Sequence, residues 1–217
     1  MKHLFENFRR FLDEDVGGFT AEFQLFIRRS CPDEKGDPAK LGRTDPITNT
    51  AWLNKPRGGL WTSTASEAEN DTWTSEWNEW LKTDMPQWMN AQGVLLKPKT
   101  SNVFHVETPE DADMLYKQFP YKPSGEMAAM TSMAAFGIGG DKNIDFEAAL
   151  REYDATKGGK RTYDAIHWGT KGGGDSDAWN FGSAGSWDVE STVWRDVSVL
   201  EVVEVVPVSI VDAREVY

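Results

Sequence analysis

The sequence predicts an α+β fold in one domain, and three observations lead there. Stretches such as "VLEVVEVV" and "YDAIHW" are dense in residues that favour strands and are read as strands. "TPEDADMLYKQF" is read as a helix from its Thr cap and first-turn acids, and "IDFEAALREY" as an amphipathic helix. No internal repeat and no clear linker divides the chain, so a single domain over 1–217 is expected.

The elements follow in order. Leu4, Phe5, Phe8, Phe11 and Leu12 recur at helical spacing and predict a short helix over 3–13, ended by Gly17-Gly18. Residues 19–29 read as a strand, with Phe23, Leu25, Ile27 and Arg29 on one face and Gln24, Phe26 and Arg28 on the other. A long loop rich in Pro, Gly, Asp and Thr spans 30–50, and a second strand is expected over 59–63 after the "KPRGG" turn. Ser66 with Glu69 three residues on has the spacing of a capping box and predicts a helix start. Trp73, Trp77 and Trp80 then form a stripe expected to pack that helix onto a sheet. Short strands are expected over 94–97 and 103–106, followed by a helix capped by Thr108 with acids in its first turn. The Met-rich segment 124–140 fits either a helix or a connector. The final strands run from about residue 190 to 208.

Composition narrows the function classes. With 217 residues, 39% hydrophobic and 12% aromatic, the chain can bury a sizeable core. Its ten tryptophans suit core walls and ligand clefts alike. A net charge of −12 repels phosphate backbones and argues against non-specific binding to nucleic acid or an anionic membrane. One cysteine, Cys31, permits no internal disulfide and fits a reducing compartment. The N-terminal stretch lacks a secretory pattern and no apolar run approaches a membrane span, so a cytoplasmic protein with no membrane partner is expected.

Several chemistries fail on residue types. His3, His105 and His167 are scattered along the chain, so no metal site is expected. Neither a phosphate-binding GxxxxGK[ST] loop nor a GxSxG elbow occurs. Three stretches remain. "LFIRRSCP" ends a strand in Arg28 and Arg29, side chains whose planar forks grip a pyrophosphate bidentately. "GGLWTSTASEAENDTW" carries Trp61 and the hydroxyls Thr62, Ser63 and Thr64, suited to orienting a ribose or a carboxylate. "SWDVESTVW" brings Asp188 and Glu190 to a strand start, on one face because their spacing is two.

In this order the three stretches resemble the motifs of the ADP-ribosyltransferase-like toxins and phage enzymes, built around an Arg, a Ser-Thr-Ser and a Glu-x-Glu motif. The counterparts here are Phe26-Ile27-Arg28-Arg29-Ser30, Trp61-Thr62-Ser63-Thr64-Ala65 and Asp188-Val189-Glu190. The three stretches together cover about a seventh of the chain. Asp188 stands where the family carries Glu or Gln, and Ala65 stands at the third hydroxyl unless the frame begins at Thr62. The resemblance implies a split mixed β-sheet core with flanking helices and NAD as co-substrate. For a phage-encoded chain it implies the host cytoplasm.

The same resemblance implies roles. Glu190 would stabilise the oxocarbenium-like ribose as nicotinamide leaves. Arg28, or else Arg29, would hold the pyrophosphate, and Ser63 or Thr62 would position Glu190 or bond the ribose. Trp61 would wall the nicotinamide or the strand below it. Asp188 would orient or deprotonate the acceptor, a protein or nucleic acid engaged by the glycine-rich loop 169–187. The implied activity is mono-ADP-ribosyl transfer, a reaction of the glycosyltransferase class. An NAD glycohydrolase on the same fold and a non-catalytic acidic inhibitor protein are the alternatives.

Overall fold

A computed structural model of the chain describes residues 23–26, 44–50, 55–86, 92–122, 143–151, 162–169 and 189–208. In chain order its elements are β1 (Gln24–Phe26), β2 (Leu60–Thr64), β3 (Ser66–Glu67), β4 (Trp73–Thr74), α1 (Glu76–Asp84), β5 (Gln92–Pro98) and β6 (Val103–Val106). There follow α2 (Pro109–Gln118), β7 (Pro120–Tyr121), β8 (Asn143–Ile144), α3 (Phe146–Ala149), β9 (Ala165–Trp168), β10 (Ser191–Trp194) and β11 (Leu200–Pro207). Among the described residues the architecture is mixed α+β, with a mainly sheet core and few helices.

Seven strands form one sheet in the order β11-β5-β1-β2-β10-β9-β6, and two short ribbons, β3-β4 and β7-β8, stand beside it. Every pairing in the large sheet is antiparallel except β6 with β9, which is parallel. β2 changes partner along its length. β10 holds Leu60–Thr62 on one edge, while β1 holds Ser63 and Thr64 on the other.

The period-two alternation separates two cores across this sheet. Phe104, Val106, Ile166, Trp168 and Val193 face α2 and α3, packing with Leu115, Phe119, Phe146 and Ala149. On the other face Leu60, Ala165 and Trp194 pack with Val94, Leu96, Val199 and Leu200. All four residues of β10 are buried, as an interior strand covered on both faces requires.

Strands expected around 59–63, 94–97, 103–106 and 163–168 form as β2, β5, β6 and β9, and the final pair forms as β10 and β11. Of the expected strand 19–29, β1 lies within the described residues. The expected helix 3–13 and the segment 124–140 lie outside them. Thr108 caps α2 as expected, its hydroxyl accepting from Asp111 N–H while the Asp111 carboxylate accepts from Thr108 N–H at 2.9 Å.

Two helix expectations are corrected. Ser66 does not cap a helix; it pairs with Thr74 in the β3-β4 ribbon. Asn70 and Asp71 both adopt φ of 57°, a left-handed turn that Asn and Asp tolerate and that no helix can run through. The helix begins later, behind Ser75, whose side chain accepts from Asn78 N–H. Its buried residues are therefore Asn78 and Leu81, while Trp77 and Trp80 are half-buried and stacked on each other, ring centroids 5.1 Å apart. Trp73 belongs to β4. The helix expected across "IDFEAALREY" stops at Ala149, because Tyr163 N–H takes the Ala149 carbonyl at 2.7 Å as the chain returns toward β9.

Candidate functional site

Four neighbouring strands change character along one face of the sheet. The register sets Val103, Ala165, Trp194 and Leu60 in one row across β6, β9, β10 and β2. Two residues on, the same register sets His105, His167, Thr192 and Thr62 side by side. Continuing it past the strand ends brings Glu107, Gly169, Glu190 and Thr64 together. An apolar row thus leads into a row of imidazoles and hydroxyls, and then to two carboxylates flanking a glycine.

Glu190 immediately precedes β10 and is 7% exposed. Its carboxylate fills the place where β10 and β2 stop pairing. Oε2 accepts from the Ser63 hydroxyl and from Thr64 N–H at 2.9 Å, so it occupies what would be the next rung of the ladder. Oε1 accepts from the Thr64 hydroxyl at 3.1 Å and lies 3.2 Å from His167 Nδ1. Glu190 N–H in turn donates to the Glu76 carboxylate, in the first turn of α1, at 3.0 Å. Burial raises the Glu190 carboxyl above its ordinary value, against the opposing pull of His167, Ser63 and Thr64. A carboxylate held this firmly, in a dry setting, can stabilise developing positive charge without reorganising.

The hydroxyls beneath it are wired to one another. Thr62 Oγ1 donates to Gln24 Oε1 at 2.7 Å and accepts from Trp194 Nε1 at 2.7 Å. Gln24 Nε2 donates to Thr64 Oγ1 at 3.3 Å. On the far side, His167 Nδ1 is 2.9 Å from Thr192 Oγ1, and His167 Nε2 is 3.4 Å from Glu107 Oε1. His105 stands beside His167, ring centroids 5.1 Å apart, with Nδ1 4.0 Å from the same Glu107 oxygen.

Of the residues singled out in the sequence, the structure brings Ser63 and Thr64 directly to Glu190 and links Thr62 to Thr64 by two hydrogen bonds through Gln24. Trp61 lies on the α2 and α3 side, packed against that core, with its indole N–H on Gly58 O at 3.0 Å and the Lys55 ammonium over its ring. The left-handed glycines Gly58 and Gly59, with φ of 78° and 68°, make the turn that leads into this strand. Arg28, Arg29, Asp188 and the loop beyond Gly169 lie outside the described residues.

Sequence reasoning missed Gln24, Glu76, Glu107 and the two histidines. The view that the histidines are too scattered to share a site is corrected for His105 and His167, which parallel pairing of β6 with β9 sets opposite each other. One signal was available. The alternation in "DAIHW" puts His167 on the same strand face as Ala165, the side of the sheet that carries Trp194 and Thr192.

Comparison with known proteins finds no matching family model, curated protein or solved structure. Among the described residues no helix is long and apolar enough to cross a membrane.

Proposed function

We propose that the chain transfers ADP-ribose from NAD to a macromolecular acceptor with release of nicotinamide, on an ADP-ribosyltransferase-like split sheet. The observation that carries this reading is the buried Glu190 carboxylate, held by Ser63 and Thr64 at the head of an interior strand. The change of partner along β2 supports the split of the sheet, since β10 and β1 hold different halves of that strand.

The reaction breaks the bond between the ribose C1′ and the nicotinamide nitrogen, whose electron pair leaves with nicotinamide. Positive charge grows on the ribose, and Glu190 stabilises it more in the transition state than in bound NAD. Ser63 and Thr64 fix the carboxylate. Arg28 or Arg29 holds the pyrophosphate, and Trp61, packed on the α2 and α3 side, backs the strand that carries Ser63 and Thr64. The acceptor's nucleophilic atom then bonds C1′ and releases its proton, with Asp188 as the group that receives or orients it and the loop 169–187 as the acceptor's contact.

The test is incubation with NAD labelled in its adenylate half and a cell lysate. Label should move to protein or nucleic acid, and Glu190→Gln should lower the rate by about 10²–10³-fold with the fold intact. Free ADP-ribose as the sole product would assign a glycohydrolase instead. No consumption of NAD, with full biological effect retained in Glu190→Gln, would leave the acidic-inhibitor reading.

A further inference from the structure

We propose that His105, Glu107 and His167 bind a divalent transition metal ion of the zinc class. This goes beyond the transfer reaction and does not rest on it. The three side chains offer two imidazole nitrogens and one carboxylate oxygen, all within 4.8 Å of one another. A tetrahedral ion with bonds of about 2.1 Å wants ligand atoms roughly 3.4 Å apart. Glu107 Oε1 already stands 3.4 Å from His167 Nε2 and 4.0 Å from His105 Nδ1, so small side-chain rotations complete the set. Two imidazoles and a carboxylate suit zinc and its neighbours rather than magnesium or calcium, which prefer all-oxygen shells.

The orientation of His167 is the second observation. Its Nδ1 faces the Glu190 carboxylate and the Thr192 hydroxyl. Its Nε2 faces Glu107 Oε1 at 3.4 Å, so a cation seated between them takes one ligand atom from each. Carboxylate to histidine to metal is the arrangement that fixes the ring and makes its free nitrogen a better ligand.

A third observation is the room made for Glu107. Gly169 is buried beside it, and a Cβ there would come within 2.3 Å of Glu107 Oε2 and 2.9 Å of Oε1. The carboxylate rests where only a glycine leaves space. The ligands are all partly exposed, which leaves the remaining coordination positions open to water.

Isothermal titration of the chelator-treated full chain with zinc chloride, without NAD, tests the site. One ion should bind per chain, unaffected by millimolar magnesium. Glu107→Gln and His167→Ala should each weaken binding at least ~100-fold, and Glu190→Gln about 10-fold through the His167 ring. Gly169→Ala removes no ligand yet should weaken binding by displacing the carboxylate, which covers the case of a ligand variant that fails to fold. Cobalt in place of zinc should give visible absorption that disappears in His105→Ala. Absence of binding, or binding unchanged in all these variants, overturns the proposal and leaves His167 as a link between Glu107 and Glu190. Because no NAD is present, this outcome is separate from success or failure of the transferase assay.

Discussion

Two adjacent rows on one face of the sheet share the same four strands and differ in chemistry. Val103, Ala165, Trp194 and Leu60 abut strand and turn residues such as Val199 and Leu200 and act by removing apolar surface from water. His105, His167, Thr192 and Thr62, two residues further along, are linked to Gln24, Trp194, Glu190 and Glu107 by hydrogen bonds and ion pairs. A satisfied buried hydrogen bond adds only about 1 kcal/mol net, whereas leaving one such group unpaired costs more. The apolar row therefore provides cohesion, and the polar row provides placement at small net gain. Four strands of the core are given over to holding two carboxylates and two imidazoles.

The largest test of this contrast lies in the apolar row. Trp194→Ala should cost about 3–5 kcal/mol of folding stability, read from the urea unfolding midpoint, and should loosen Thr62 as well by removing its indole donor. Next is Glu190→Gln, where rate and stability should part company. The folded chain holds the Glu190 proton to higher pH than the unfolded chain does, because burial raises its pKa. Stability therefore falls as pH rises from the ordinary carboxylate value of 4.5 through the raised one, and stays lower above it. Urea midpoints measured across that interval should lack this decline in Glu190→Gln, even as transfer collapses. A decline of equal size in the variant would show that the carboxylate is not the group responsible. The smallest effect is expected for Thr62→Val, which strands the Trp194 indole N–H and a Gln24 oxygen. It should cost about 1–3 kcal/mol, and Thr62→Ser should recover most of that loss.

The two rows also separate what a sequence reveals from what it conceals. Strand identity was legible because alternation is local: "LWTST", "VFHV", "AIHW" and "STVW" carry it within a few residues. The order of three motifs offered Ser63 or Thr62 as the group positioning Glu190, and it is Ser63 that bonds the carboxylate. The helix start was not, since Ser66 and Ser75 both offer a plausible cap and the decision lies in the left-handed turn at Asn70 and Asp71. Nor was the meeting of His105 with His167. It depends on the register between two parallel strands joined by a long crossover, and periodicity carries no information about register.

Ser63 and Glu190 are 127 residues apart in the chain, and Thr62 and Trp194 are 132 apart. The entropy lost in closing so long an interval grows with its logarithm and must be recovered by contacts that form afterwards. Local features such as the capped helix after Thr108 can form early, but the carboxylate's cage exists only once distant segments have met. Whatever chemistry Glu190 performs is thereby tied to the final stages of folding: a chain still partly folded presents its helices and ribbons without an armed site.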